Sequence, residues 1–328
     1  MAAMAPLDEL RWGLIGTGGI ASTFARDLEL SDSGRVVAVG SRSRASAERF
    51  GEAHGVPKRH SSYEDLVADR EVDVVYVATP HPWHRDNTLL ALNAGKPALV
   101  EKPFTMSAEQ ARELVAAARE RGLFLMEAMW TRFLPHIVEI RRLLADGVLG
   151  QIVSVSADHG QWFVHDAEHR LFAPELGGGA LLDLGVYPVS FASMVLGTPE
   201  RIVSVVEPAF TGVDGQTSMI FAYAGGAQAL LTCTSLARSP TRAAIVGTEA
   251  RIEIDGDFYA PTSFTLIPRQ GEATRFEQPH EGRGLRHQAD EVARCLREDL
   301  LESPLMPLDE TVAIMATMDA VLGAALSR

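Results

Sequence analysis

Short apolar runs and amphipathic stretches alternate over the first hundred-odd residues of the chain. Residues 10–15 (Leu-Arg-Trp-Gly-Leu-Ile) read as a strand and 19–30 as a helix. A strand at 35–40 and a helix at 45–54 follow. Residues 72–78 (Val-Asp-Val-Val-Tyr-Val-Ala) form a nearly continuous apolar run, as strands covered on both faces do. A helix over 83–94, closed by Gly95 in the C′ position, leads to a strand at 97–100. A helix at 108–121 and a strand at 123–127 complete the series. This βαβ rhythm predicts a parallel sheet with helices on both faces.

Beyond about residue 128 the rhythm changes. A helix at 134–145 leads to a strand at 151–156 and then to a Gly- and His-rich loop. Residues 176–197 carry one charge, Asp183, and read as a buried helix rather than a membrane span. Gly177, Gly178 and Gly179 at its start, Pro188 within it, and an Asp costing about 3 kcal/mol near a bilayer centre all oppose spanning. From 201 to about 278 strands are separated by turn signals, and such consecutive strands pair antiparallel. Helices at 284–299 and 309–326 close the chain. The expected fold class is therefore α/β over 8–127, followed by an α+β domain over 128–328 with a large, mostly antiparallel sheet.

Composition narrows the partners. The 328 residues hold 30 basic and 43 acidic side chains, a net charge of −13, with 46% hydrophobic residues. Broad affinity for nucleic acid or an anionic membrane needs a basic surface, so neither partner is expected. The two cysteines, Cys233 and Cys295, form no framework and no metal-binding spacing. With no leader readable over the first ten residues, a reducing cytoplasmic location is expected.

Gly16-Thr17-Gly18-Gly19-Ile20-Ala21 follows the first strand and opens the first helix, the place where a dinucleotide's pyrophosphate sits. Helix-terminal N–H groups there attract phosphate. The second strand ends at Ser41-Arg42-Ser43-Arg44, with no acid until Glu48 to take ribose hydroxyls. Arg42 and Ser41 suit a 2′-phosphate instead, which favours NADP over NAD. Glu101-Lys102-Pro103 ends a strand at the ligand-binding edge of such sheets, and Lys102 is one of only three lysines in the chain. Asp183 and Tyr187, at i and i+4, share a helix face; a Tyr hydroxyl serves as acid/base when a cation lowers its pKa. Pro188 removes the N–H that would bond the Leu184 carbonyl, so a kink is expected beside the pair.

The glycine fingerprint, Ala78-Thr79-Pro80 with His84, Glu101-Lys102-Pro103, and the Asp183-to-Tyr187 spacing occur here in order. In this the chain resembles the glucose–fructose oxidoreductase/inositol dehydrogenase (Gfo/Idh/MocA) family over nearly its whole length. Tyr187 and Met126-Glu127-Ala128-Met129-Trp130-Thr131-Arg132-Phe133 are similar to the branch of dihydrodiol dehydrogenases and NADP-linked D-xylose dehydrogenases. The resemblance implies a Rossmann domain that holds the cofactor through Gly16, Thr17, Gly18, Gly19, Ile20, Ser41, Arg42, Thr79, Pro80, His84, Glu101 and Lys102. It implies that Lys102 and Tyr187 hold the substrate hydroxyl, that Tyr187 takes its proton, and that Asp183 orients Lys102 or the sugar. It also implies a homodimer or homotetramer, with the strands at 219–223 and 229–236 as candidates for the contact.

Trp83, Trp130 and Trp162 are candidates to wall a sugar cleft, and Arg170 to touch substrate. His165 and His169 invite a metal reading, but no third ligand group is spaced to complete a site, so no metal is expected. The reading that emerges is an NADP-dependent oxidoreductase acting on a sugar or cyclic trans-diol. Its rivals are a nonenzymatic nucleotide-binding sensor and an NAD-dependent glycosidase. A sensor has no need of Lys102 and Tyr187, and a glycosidase gives no net reduction of free cofactor.

Overall fold

The computed structural model describes residues 9–326. Residues 1–8, which hold the expected start of the first domain and most of the stretch read as lacking a leader, and residues 327–328 lie outside the described residues. The chain divides into two compact units. One holds the residues up to Thr105, with Glu109–Trp130 and Glu281–Thr311; the other holds Met106–Ala108, Thr131–His280 and the residues from Val312 on.

The first unit alternates as the apolar pattern predicts: β1 (Leu10–Ile15), α1 (Gly19–Leu28), β2 (Gly34–Gly40), α2 (Arg44–Ala53), β3 (Lys58–His60), α3 (Tyr63–Ala68) and β4 (Val74–Val77). Then come α4 (His84–Asn93), β5 (Ala98–Glu101), α5 (Ala108–Arg121) and β6 (Leu125–Ala128). All six strands are parallel, in the order β3-β2-β1-β4-β5-β6. This is the doubly wound order whose switch point lies between β1 and β4. Phe24 of α1 packs edge-on against Trp12 of β1 at 5.1 Å and stacks on Tyr76 of β4 at 4.3 Å, fixing the helix over the sheet. β3 and α3 were not expected. β3 is three polar residues on the sheet edge, too short to show a period, and α3 is a six-residue helix capped by Ser62.

The second unit runs α6 (Pro135–Ala145), β7 (Ile152–Gly160), a π turn at Leu181–Gly185, α7 (Val186–Leu196), β8 (Arg201–Pro208), β9 (Asp214–Ala222) and β10 (Gln228–Thr234). β11 (Ala243–Gly247), β12 (Ala250–Ile254), β13 (Phe264–Pro268) and β14 (Thr274–Phe276) follow; after them the chain forms α8 (Arg286–Arg297), which belongs to the first unit, and α9 (Leu308–Leu326), most of which belongs to the second. The eight strands form one sheet in the order β14-β13-β12-β11-β7-β10-β9-β8. Every pair is antiparallel except β7 with β10. Side chains alternate between its faces: Ala229, Leu231 and Cys233 of β10 are buried, whereas Leu230 and Thr232 are exposed.

Two expectations need correction. A single boundary at 127/128 does not describe the division, because α8 returns to the first unit. The Asp27 carboxylate of α1 accepts the backbone N–H of Arg283 at 2.9 Å and of Leu285 at 2.7 Å, and Ser31 donates to Asp290. Residues 176–197 are not one uniform helix, because Gly177 and Gly179 take left-handed φ values of 71° and 127° and delay its start. Among the described residues, Pro174–Leu196 is long and apolar enough to cross a membrane, yet 78% of its apolar window is buried inside the fold.

Candidate active site

Parallel strands deliver their carboxyl ends to one edge of the first unit, and the predicted cofactor residues gather there. Gly16 has φ +110°, and a Cβ on it would meet the Ala78 carbonyl at 2.8 Å, so only glycine makes this turn. Gly18 and Gly19 face open space, where nothing lies within 4 Å of an added Cβ. Gly18 caps α1 without a side-chain hydrogen bond, and α1 has no acid in its first turn. The N–H groups of Gly19, Ile20 and Ala21, in the first turn, have no acceptor within the helix, and the helix dipole lies behind them. This cradle fits a pyrophosphate.

At the end of β2, Ser41 is buried and its hydroxyl accepts the Ser43 N–H at 3.3 Å, while Ser43 caps α2. Arg42 is exposed and lies over the Trp83 ring at 5.4 Å. Trp83 therefore supports the arginine expected to read the ribose phosphate, a different place from the sugar-cleft wall suggested for it. Burial raises the Tyr63 phenol above its usual pKa, and neighbouring Arg42 pulls it partly back.

The ends of β4 and β5 are tied by buried polar groups. His84 is fully buried, with Nε2 2.7 Å from the Thr79 carbonyl and Nδ1 2.8 Å from the Pro103 carbonyl. The resemblance made His84 a cofactor contact; with no accessible atom it instead braces the two loops. Burial lowers its pKa, against the pull of the two carbonyls. His81 stands edge-on to it at 5.7 Å. Thr79 accepts a hydrogen bond from Asn87 at 3.1 Å, and Pro80 leads into the short turn His81–Trp83. The buried Glu101 carboxylate accepts from the Tyr76 hydroxyl and from the Lys102 N–H, and so sets the backbone from which Lys102 projects. Glu127, buried on β6, accepts the Phe104 N–H at 3.2 Å. Tyr76 and Glu127 were not singled out in the sequence, where each looks like part of an apolar strand.

In the second unit the chemistry hangs on the helix from Leu181 to Leu196. Asp183 sits in the π turn and Tyr187 in the first turn of α7, so the pair spans a junction rather than one continuous α-helical face. Pro188 and the tight packing of Gly185 explain it; an added Cβ on Gly185 would meet Cys233 Sγ and Leu181 Cδ1, each at 2.8 Å. Asp183 is 5% exposed and takes both arms of Arg170, at 2.9 and 3.1 Å. Arg170, expected to touch substrate, thus holds the carboxylate. Buried Arg132 donates to the Ser190 hydroxyl and carbonyl at 2.9 and 2.8 Å. Asp214 Oδ2 accepts the Leu181 N–H at 2.6 Å, and Gly179 leaves the room it needs. Tyr187 is buried between two rings: His159 edge-on at 5.2 Å and Tyr259 at 4.9 Å. Neither His159 nor Tyr259 was anticipated.

Trp130 is buried, whereas Trp162 is 62% exposed. His165 stacks on Phe210 at 5.1 Å and His169 tilts against Phe163 at 5.3 Å, both as members of an aromatic cluster. Among the described residues no group of three His, Cys, Asp or Glu side chains is placed to hold a metal.

Comparison with known proteins agrees with the two-domain fold. Residues 10–129 match the oxidoreductase family with an NAD-binding Rossmann fold, and residues 137–253 match the GFO/IDH/MocA C-terminal domain. The chain is 40% identical to the trans-1,2-dihydrobenzene-1,2-diol dehydrogenase of Xenopus laevis, over 95% of this chain and 97% of that one. It is 36% identical to the Homo sapiens enzyme of the same name, over 95% and 96%. Among solved structures, a 3-ketoreductase from Actinomadura kijaniata, in complex with NADP and TDP-benzene, is 28% identical with a TM-score of 0.84, over 96% and 98% of the two chains. An aldose–aldose oxidoreductase from Caulobacter crescentus, complexed with glycerol, shares the fold at 24% identity and a TM-score of 0.88, over 97% and 98%.

The Asp214 anchor has a pH signature. Burial raises this carboxyl from 3.8 to about 6, against the hydrogen bonds it accepts. An acid that holds its proton more tightly when folded stabilises the fold at low pH, and that contribution is lost as pH rises from about 4 to 6. Asp214→Asn keeps an acceptor for Leu181 but does not titrate. Melting curves from pH 4 to 8 are expected to show the variant gaining on the parent by on the order of 2 kcal/mol across that window. Parallel curves would contradict it.

Proposed function

The chain belongs to the GFO/IDH/MocA oxidoreductase family, and from that premise we propose that it is an NADP-dependent dehydrogenase of a sugar or cyclic trans-diol hydroxyl. The observation that carries the reading is the shared sheet edge, where the glycine turn, Arg42 and Lys102 stand at the ends of parallel strands. The dihydrodiol dehydrogenase relatives support a trans-diol as substrate. The aldose–aldose oxidoreductase suggests a sugar by likeness of fold alone. Arg42 on its Trp83 support, the missing acid after β2, and the NADP in the related 3-ketoreductase favour NADP over NAD. When bound at the glycine turn, the nicotinamide cofactor supplies the hydride acceptor or donor.

The protein's own part is to hold the substrate hydroxyl and move its proton. Tyr187 is the assigned acid/base, and Lys102 supplies the positive charge that favours its phenolate, since a free Tyr has a pKa of about 10. Asp183, clamped by Arg170, keeps a fixed negative charge one helical turn before Tyr187. A reducing, cytosolic setting fits Cys233 and Cys295, both free and buried.

A homodimer or homotetramer is also proposed. Val203, Ile220 and Leu230 lie side by side across β8, β9 and β10, all exposed, with Val205 beside them. Of the strands expected at the contact, only alternate residues such as Ile220 and Leu230 face outward. A mass above the monomer is expected by light scattering at micromolar concentration, and Leu230→Asp is expected to lower it. A monomeric parent protein would contradict this.

Binding titrations are expected to show tighter binding of NADP than of NAD. Arg42→Ala should cost NADP about 1.5–3 kcal/mol, the range for a hydrogen bond to a charged group, and leave NAD little changed. Equal affinities in the parent protein would overturn the assignment. For the proton step, Tyr187→Phe should keep NADP binding while turnover falls on the order of 10²–10⁴-fold. Lys102→Met should fall similarly, and the double variant little further, because groups acting as a unit are not additive. Near-normal turnover by Tyr187→Phe on the best of a panel of pentoses, hexoses, inositols and dihydrodiols would show that another group carries the proton.

A further inference from the structure

Pro188 has no N–H to give the Leu184 carbonyl, the acceptor it would bond in a regular helix. That oxygen receives the Val186 N–H and, from outside the helix, His159 Nδ1 at 3.2 Å. His159 lies on β7, 1% exposed. A carbonyl only accepts, so Nδ1 carries the proton. On the other side of the ring, Gln161 Nε2 stands 2.9 Å from His159 Nε2. An amide nitrogen only donates, so Nε2 is bare. Both neighbours therefore select the same neutral tautomer.

Further contacts tie this ring to Tyr187. Gln161 Nε2 is also 3.3 Å from the Tyr259 hydroxyl, so its two hydrogens have two acceptors. Tyr259 stacks on His159 with centroids 4.3 Å apart and planes 24° from parallel. Thr131 anchors Tyr259 by donating to its carbonyl at 2.6 Å. Tyr187 closes the group, edge-on to His159 at 61°.

We propose that His159 is a positioning residue for Tyr187. Its Nδ1–H replaces the backbone donor that Pro188 lacks and thereby fixes the junction carrying Asp183 and Tyr187. Its ring, locked by Gln161, holds the Tyr187 ring at a set angle. The inference rests on the proposed acid/base role of Tyr187.

The test compares four variants of the full chain, His159→Asn, His159→Gln, His159→Leu and Tyr187→Phe, with NADP and either D-xylose or a trans-dihydrodiol. Asn presents its amide N–H near the place of Nδ1, whereas Gln presents it beyond and Leu has none. His159→Leu and His159→Gln should lose on the order of 10- to 100-fold in kcat, as small misplacements of a reacting group do, with KM and NADP affinity little changed. His159→Asn should keep most of the turnover, and His159→Leu should cost little in a Tyr187→Phe background. Should His159→Leu fail to fold, the Asn–Gln contrast decides. Equal turnover of the Asn and Gln variants, or an undiminished loss in the Tyr187→Phe background, would overturn the inference. If Tyr187→Phe itself keeps full turnover, the acid/base assignment fails first. If it loses turnover while His159→Leu does not, only the positioning role fails.

Discussion

A buried helix with a proline in its first turn lacks one backbone donor, and the second unit is organised around that gap. Position 188 leaves the Leu184 carbonyl without its regular partner, and the preceding turn widens to a π turn that only Gly185 can press against Cys233. His159 reaches across from the sheet to the freed oxygen. Arg132 grips the helix nearly two turns on, at Ser190, and Asp214 receives its first N–H. Each of these groups is buried or nearly so, where an unmet hydrogen bond costs about 1–3 kcal/mol. The helix is therefore held in one place, with Asp183 and Tyr187 on it.

The first unit reaches the same end by sheet geometry. Six parallel strands stop at one edge, and the side chains that shape this edge are mostly not those that would touch a ligand. Tyr76 holds Glu101, Glu101 holds the Lys102 N–H, and His84 joins the loops after β4 and β5. Gly16 alone turns the chain under the Ala78 carbonyl, while Gly18 and Gly19 leave the helix terminus open. Rigid support beneath an open cradle is what a phosphate-binding turn requires.

The strands and helices of the first unit were legible because each buries a run or a face long enough to show its period. Those that escaped are short: Lys58–His60 is three polar residues on the sheet edge, and Tyr63–Ala68 is a six-residue helix that buries only Leu66 and Val67. The return of α8 to the first unit was invisible for another reason. It depends on Asp27 bonding backbone some 250 residues away, which no local pattern encodes. Among candidate site residues, Gly16, Lys102, Asp183 and Tyr187 stand out through motif and spacing. His159 does not, because the Gly- and His-rich stretch after Ser156 reads as a loop, whereas β7 runs on to Gly160. Val155, Ala157 and His159 in fact alternate as one buried face of β7, and that period of two was the available signal.

Hydride transfer from a carbinol carbon to the nicotinamide is the claim on which these assignments converge. The direct measurement is mass analysis of the reduced cofactor after turnover of NADP with a trans-dihydrodiol or aldose deuterated at the reacting carbon. The account predicts NADPH carrying one deuterium, formed more slowly than from the unlabelled substrate. Reduced cofactor without deuterium, or substrate conversion with no net reduction of NADP, would contradict it.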